Sequence, residues 1–311
     1  MAGRERRVFV AGGDTLIGAG LRRVLGRMGA PLLPEPSGLD LARPDEVQDL
    51  FAEQRPTQVY MAAGRSGGIA ANERFPAELM LDNLRVACNV LDAARRHGVT
   101  RLLNLGSSCS YPRDCAQPMA PEALMTGPLE PTNEAYATAK LSAMVLVRAC
   151  RQQYGAPFIS AIPANAFGPG DDFSPEESHV IAALIRRMTE AKAAGLAQVE
   201  IWGSGTPRRE FIYVDDLAEA CLVAMARYDG DLPINLGAGS DLSIRELAQA
   251  VRTAVGYRGR LVFNPARPDG MPRKCLDASA ILALGWRPRV PFPEALDRTC
   301  GWFLENGAAH G

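Results

Sequence analysis

The sequence predicts an α/β fold, a doubly wound parallel sheet joined to a smaller, mostly C-terminal region. Three observations carry this expectation. Short apolar runs appear without polar alternation, amphipathic helical stretches separate them, and Pro- and Gly-rich loops multiply after about Ala164. Val8–Ala11 is the first apolar run, ending in glycines, and helical periodicity follows from Leu16 to Met28. Val59–Ala63 reads as a buried strand, and Glu78–His97 as a helix through Leu79, Leu84, Val90, Leu91 and Ala94. Leu102–Leu105 is the next strand, Ala135–Gln153 the next helix, and Phe158–Ile162 a further strand. Strands that are apolar throughout must be covered on both faces, and their crossovers are right-handed. Residues 1–164 are expected to form this sheet unit. Residues 165–311 would form mainly the second region, with helices such as His179–Ala194 and segments returning to the sheet. A ligand would lie in the crevice beyond the carboxyl ends of the strands.

The chain has 311 residues and a formal net charge of −1. That balance argues against a nucleic-acid partner, which calls for a basic excess. No apolar run reaches the roughly 18 residues that span a bilayer, so no membrane partner is expected. The opening MAGRERRVFVAGG lacks the apolar core of a secretion signal. Seven cysteines without a CxxC pair indicate neither a disulfide framework nor a zinc site. A cytoplasmic setting and no metal are the expectations.

Tyr136-Ala-Thr-Ala-Lys140 is the stretch richest in chemistry. Residues four apart share a helix face, and an ammonium beside a phenol lowers its pKa from about 10. Such a tyrosine serves as an acid or base near neutrality. YxxxK alone is common and is usually an exposed helix pair. Ser107, at the end of the strand in LLNLGSS, raises its weight, because a hydroxyl there can hydrogen-bond a carbonyl under reduction. The turn AGGDTLIG (Ala11–Gly18) sits where a nucleotide-binding glycine loop belongs.

Ser-Tyr-Lys on a doubly wound sheet resembles the extended short-chain dehydrogenase/reductase family, which implies a Rossmann-like sheet and a dinucleotide-binding N-terminal domain. Finer motifs narrow the likeness: GGI (67–69), LGSSCSYP (105–112), LEPTNEAYATAK (129–140), SHVIAALIRR (178–187), WGSGTPRREF (202–211), PDGMPRK (268–274) and FLEN (303–306). Together they resemble the GDP-L-fucose synthases, a family of GDP-4-keto-6-deoxy-mannose 3,5-epimerase/4-reductases. The likeness runs from Arg7 almost to the C-terminus. It implies a reductase triad of Ser107, Tyr136 and Lys140, with Tyr136 protonating the C4 oxygen and Lys140 also holding the nicotinamide ribose. It implies an epimerase pair of Cys109 and His179. A C4 ketone acidifies the protons at C3 and C5, and inversion needs a base on one face and an acid on the other. A thiol lowered by nearby positive charge suits the first task and an imidazole the second. Read without the motif, each would be a buried small apolar group or a surface cap. The resemblance places Asn165, Arg187, Trp202, Arg209 and Lys274 on the substrate, where the cations would meet its diphosphate. It also implies a homodimer that pairs Glu78–His97 and Ala135–Gln153 into a four-helix bundle, and NADP(H) as cofactor.

The cofactor loop departs from that family. Gly12 and Gly18 are kept, but Thr15 replaces the middle glycine and Asp14 the basic residue before it. Leu16 and Ile17 complete the loop. Where the family carries arginines after the second strand, the segment LLPEPSG (32–38) carries Glu35. Thr15 narrows the approach to the pyrophosphate, although its hydroxyl would be able to donate to it. Asp14 repels a 2′-phosphate, and an acid such as Glu35 normally binds a free ribose 2′-hydroxyl. These changes predict NAD(H) preference or weakened binding; Asp40 and Asn83 are further cofactor-side candidates. A related epimerase with altered cofactor use is the second reading, and a non-catalytic dinucleotide sensor the third.

Overall fold

The computed structural model describes residues 5–306 except 176 and 268, so Pro268 of the PDGMPRK motif lies outside the described residues. Strand β1 (Val8–Ala11) turns through the glycine loop into α1 (Leu16–Arg27), and α2 (Pro44–Gln54) precedes β2 (Gln58–Met61). The short α3 (Ile69–Arg74) and the long α4 (Pro76–Arg96) lead to β3 (Arg101–Leu105). Next come α5 (Glu134–Tyr154), β4 (Phe158–Pro163), β5 (Asn165–Phe167) and α6 (Val180–Ala193). They are followed by β6 (Gln198–Trp202), β7 (Arg208–Arg209), β8 (Phe211–Tyr213), α7 (Val214–Arg227) and β9 (Ile234–Leu236). The described chain closes with β10 (Leu242–Ser243), α8 (Ile244–Val255), β11 (Arg260–Asn264), β12 (Arg273–Lys274), α9 (Ser279–Ala283) and α10 (Phe292–Asn306).

Five parallel strands form the main sheet in the order β1-β2-β3-β4-β9. Alternate residues of each strand enter opposite cores, which is why no polar alternation marks them. Val8, Val10, Tyr60 and Leu103 pack with Leu21, Leu25, Leu217 and Cys221 on the α1–α7 side. Phe9, Val59, Leu102 and Phe158 pack with Phe51, Val90 and Leu91 on the other. A third core gathers Phe167, Ile185, Ile201, Tyr213, Leu247 and Val251 around α6 and α8. The C-terminal half returns to the sheet through β9, which pairs with β4.

Helix α2 was not marked by the apolar runs above, and LLPEPSG, which stands where the family's second strand ends, follows no strand here. The structure keeps only one bridge there, Val8 to Leu32. Pro34 and Pro36 deprive the segment of two amide donors, and Pro31 stands just before it, so a ladder does not extend. No helix among the described residues is long and apolar enough to cross a membrane.

Small sheets carry the cations of interest. β12 runs parallel to β7, with Lys274 opposite Arg209 and Arg273 opposite Arg208. Asp241, nearly buried, accepts from Arg208 at 2.6 Å and Arg273 at 2.5 Å. Buried Glu210 accepts from the amides of Gly239 and Leu276, both at 2.7 Å. The strands that hold Arg209 and Lys274 are thus pinned by their neighbours in sequence.

Candidate active site

The site is built where β3 ends. Ser107 Oγ accepts from the Cys109 amide at 3.2 Å and caps a single 3₁₀ turn, Ser108–Ser110. Ser110 Oγ then donates to the Ala137 carbonyl on α5 at 3.1 Å. This staple sets Cys109 beside the helix face that carries Tyr136 and Lys140. The Ser107 hydroxyl is a close neighbour of the Tyr136 phenol and favours its ionised form.

Tyr136 does not have the lowered pKa expected from Lys140. Burial pushes it up, the neighbouring Cys109 adds to the rise, and Ser107 offsets part of it. The Lys140 ammonium is turned instead to the Ala63 carbonyl, at 3.4 Å, and burial lowers it to about 8. Tyr136 is therefore a neutral phenol at physiological pH, the form that can donate a proton. Gly64 makes the space: at φ +127°, it has Asn83 Oδ1 and Lys140 Nζ where a side chain would go.

Cys109 receives two donors, Lys274 Nζ at 3.3 Å and Asn133 Nδ2 at 3.4 Å. Burial would raise the thiol, but Lys274, the Ser107 hydrogen bond and Arg209 bring it below its ordinary value. His179 occupies the N-cap of α6 and is open to solvent by surface area. Surrounding protein lowers its pKa; Asp172 offsets this in part and Lys274 lowers it further. Cys109, Tyr136 and His179 are thus linked through shared neighbours, and Lys274 acts on two of the three.

The other substrate candidates are more spread. Arg209 is half-buried, donates to the Arg208 and Asp269 carbonyls at 2.9 and 3.4 Å, and is lowered by burial. Arg187 donates to the Glu200 carbonyl at 2.5 Å. Asn165 Nδ2 donates to the Glu210 carbonyl at 2.8 Å. Trp202 is 53 % exposed, with the Arg267 guanidinium 4.8 Å from its ring centre. Arg208 and Arg273 are ion-paired, whereas no ion pair found among the described residues uses Arg187, Arg209 or Lys274. Cations left without a carboxylate in a cleft fit an anionic ligand. Lys274, expected on phosphate, points at the Cys109 sulfur. Sequence reasoning missed Asn133 as a partner of Cys109, although it lies within the LEPTNEAYATAK motif, and missed Asp172 beside His179.

In the glycine loop, Gly12 adopts φ +77°, and a side chain at Gly18 would collide with the Gly12 carbonyl oxygen. Thr15 is the N-cap of α1: its Oγ1 accepts from Gly18 N at 3.1 Å and donates to Gly12 O at 2.8 Å. Its hydroxyl proton is thus committed within the loop and not held out to a phosphate, as capping at a helix start demands. Glu35 also differs from expectation. Its carboxylate accepts from Gly12 N at 3.1 Å and Gly13 N at 2.9 Å, folded onto the loop instead of waiting for a ribose hydroxyl. Asp14 is exposed. Asp40 Oδ1 accepts from the Ala42 amide in the turn before α2. Asn83 is buried and donates to the carbonyls of Arg65 and Leu79, which fixes the loop after β2.

The sequence profile of the NAD dependent epimerase/dehydratase family matches residues 8–237. The chain belongs to this family. Among curated members, it is 46% identical to "Probable GDP-L-fucose synthase 1" of Oryza sativa subsp. japonica, over 98% of this chain and 94% of that one. It is 44% identical to the GDP-L-fucose synthase of Escherichia coli (strain K12), over 97% and 98% of the two chains. The crystal structure of a GDP-L-fucose synthetase from Naegleria fowleri bound to NADP superposes with a TM-score of 0.89 at 29% identity, covering 99% of this chain and 97% of that one. The family's parallel sheet and glycine loop are those described above, and the resemblance drawn from the motifs agrees with these relatives.

Proposed function

We propose that this epimerase/dehydratase-family chain is a GDP-sugar 3,5-epimerase/4-reductase acting on a 4-keto-6-deoxyhexose. The observation that supports the reading is the turn stapled to α5, which carries Ser107 and Cys109 beside the helix of Tyr136, with Lys274 on the Cys109 sulfur and near enough to His179 to lower its pKa. Cys109 takes a proton from the carbon next to the ketone, and His179 supplies one to the opposite face. Ser107 holds the C4 oxygen, and Tyr136 protonates it. Arg209 and Arg187 take the diphosphate. Residues 1–164 serve as the dinucleotide-binding part and 165–311 mainly as the substrate part. A second copy of the chain is the proposed partner for the outer face of α4 and α5, where Leu81 is 48% exposed. The test is incubation with GDP-4-keto-6-deoxy-mannose in deuterated buffer. Exchange at C3 and C5 without reductant, followed by loss of the ketone once a reduced cofactor is added, is the expected result. No exchange and no reduction would leave the sensor reading.

The loop fits a nicotinamide dinucleotide. Gly12 and Gly18 allow the tight turn, and the first-turn amides of Leu16 and Ile17 have no partner within the helix and face an anion well. When bound, such a cofactor supplies hydride for C4; Lys140 is the ribose-side residue by resemblance to the family. Within this reading we infer a preference for NADH over NADPH. Glu35 on the loop amides and exposed Asp14 put two carboxylates at its mouth. Two acids there repel a 2′-phosphate more than a free hydroxyl. Dissociation constants are expected to favour NADH by about tenfold or more, equivalent to roughly 1.4 kcal/mol. Glu35→Gln should narrow the gap. Tighter binding of NADPH by the unaltered enzyme would sink the inference.

A further inference from the structure

We propose that Lys274 is the counter-ion of the Cys109 sulfur, with Asn133 as its second donor, so that the base for epimerisation stands ready before substrate arrives. The proposal rests on the epimerase reading above and assigns Lys274 a positioning role at the thiol in place of a phosphate contact. The geometry is specific. Lys274 Nζ and Asn133 Nδ2 reach Sγ at 3.3 and 3.4 Å from two different elements. A sulfur that accepts two N–H bonds, one of them from an ammonium, is better matched as thiolate than as thiol.

Lys274 has little freedom to go elsewhere. Its backbone pairs with Arg209 across β12 and β7, Arg273 before it is held by Asp241, and the amide of Cys275 after it donates to Gln117 Oε1 at 3.0 Å. Among the described residues no carboxylate forms an ion pair with it, so the sulfur is its anionic partner. The charged and titratable groups around Cys109 are Lys274 on β12, Arg209 on β7 and Tyr136 on α5; His179 on α6 feels the same Lys274. Of these, Lys274 acts most strongly to favour the thiolate, ahead of Arg209.

The step balances without an added reagent. The thiolate takes H⁺ from the carbon beside the ketone to form S–H, and the C–H electron pair becomes the enolate. His179 then gives H⁺ to the opposite face of that carbon, and both residues are reset by exchange with water.

The test is the pH dependence of Cys109 alkylation by iodoacetamide, read peptide by peptide with mass spectrometry. Lys274→Met is expected to move the Cys109 midpoint upward by about one pH unit or more, and Lys274→Arg to restore most of it. N-acetylcysteine added to the same sample serves as the reference, its profile expected to be unchanged. An unmoved Cys109 midpoint in folded Lys274→Met protein would overturn the proposal. Should that variant not fold, the unaltered enzyme still decides: at pH 7 its thiolate absorbance near 240 nm should exceed that of Cys109→Ser, and equal absorbance refutes the pair. Neither measurement uses the sugar. A shifted thiol without deuterium exchange therefore counts against the epimerase reading, and exchange with an unshifted thiol counts against Lys274. In turnover, Lys274→Met should lower kcat for exchange about tenfold near neutrality, with both limbs of the pH profile displaced upward, because Lys274 depresses Cys109 and His179 alike. A loss confined to KM would return Lys274 to the phosphate.

Discussion

Replacing Tyr136 with phenylalanine is expected to abolish reduction at C4 while deuterium still enters at C3 and C5. The phenol neighbours the Ser107 hydroxyl, and burial keeps it protonated across the working pH range. Losing a positioned general acid slows the step it serves by about 10²–10⁴-fold. Phenylalanine retains the ring and its packing on α5, so the cleft should keep its shape. Cys109, held by Lys274 and Asn133, does not depend on the neutral phenol for its charge. The measurement is paired: cofactor oxidation for reduction, and NMR of the recovered sugar for exchange. Equal loss of both activities would contradict the division of labour.

Cys109→Ala should give the converse. Exchange at C3 and C5 is expected to fall by about 10²-fold or more, the scale of a lost general base, while the un-epimerised ketone is still reduced, at a rate set by how well its C4 fits Tyr136. On the proposed assignment, exchange in the unaltered enzyme requires the thiolate and the imidazolium together. It rises as pH climbs through the thiol titration and falls as pH climbs through that of His179. Both groups are shifted down, Cys109 from 9.0 and His179 from 6.5. The bell should therefore centre below about 7.7, the midpoint of the ordinary values, with limbs that belong to the pair and not to either residue alone. A maximum well above that point, or exchange that survives in Cys109→Ala, would show that another group is the base.

The sheet was legible because its physics is one-dimensional. A strand covered on both faces must be apolar at every position, and Val8–Ala11, Leu102–Leu105 and Phe158–Ile162 declare this without reference to anything distant. The LLPEPSG segment differs: it stands where the family's second strand ends, but its two prolines, with Pro31 before them, remove the donors that a ladder needs. The triad spacing told which residues share a face of α5, but not where the Lys140 ammonium would turn once Gly64 opened a path to Ala63. The least legible contacts join short elements without periodicity. β7 and β12 have two residues each, so no pattern announces that Lys274 lies opposite Arg209 or that its ammonium meets a sulfur 165 residues earlier. The fold of Glu35 onto Gly12 and Gly13 is likewise a loop-to-loop contact that only the three-dimensional path creates.

The bond from Ser110 to Ala137 makes the turn that carries the thiol and the helix that carries the phenol a single rigid block. On the proposed assignment, a sugar seated against that block would meet the group that inverts its carbons and the group that finishes its alcohol without being released and regrasped. The two half-reactions then share one orientation of the ring, so a substitution that tilts the block alters both in proportion. Improving one without disturbing the other requires changes on the opposite wall, around His179 and α6.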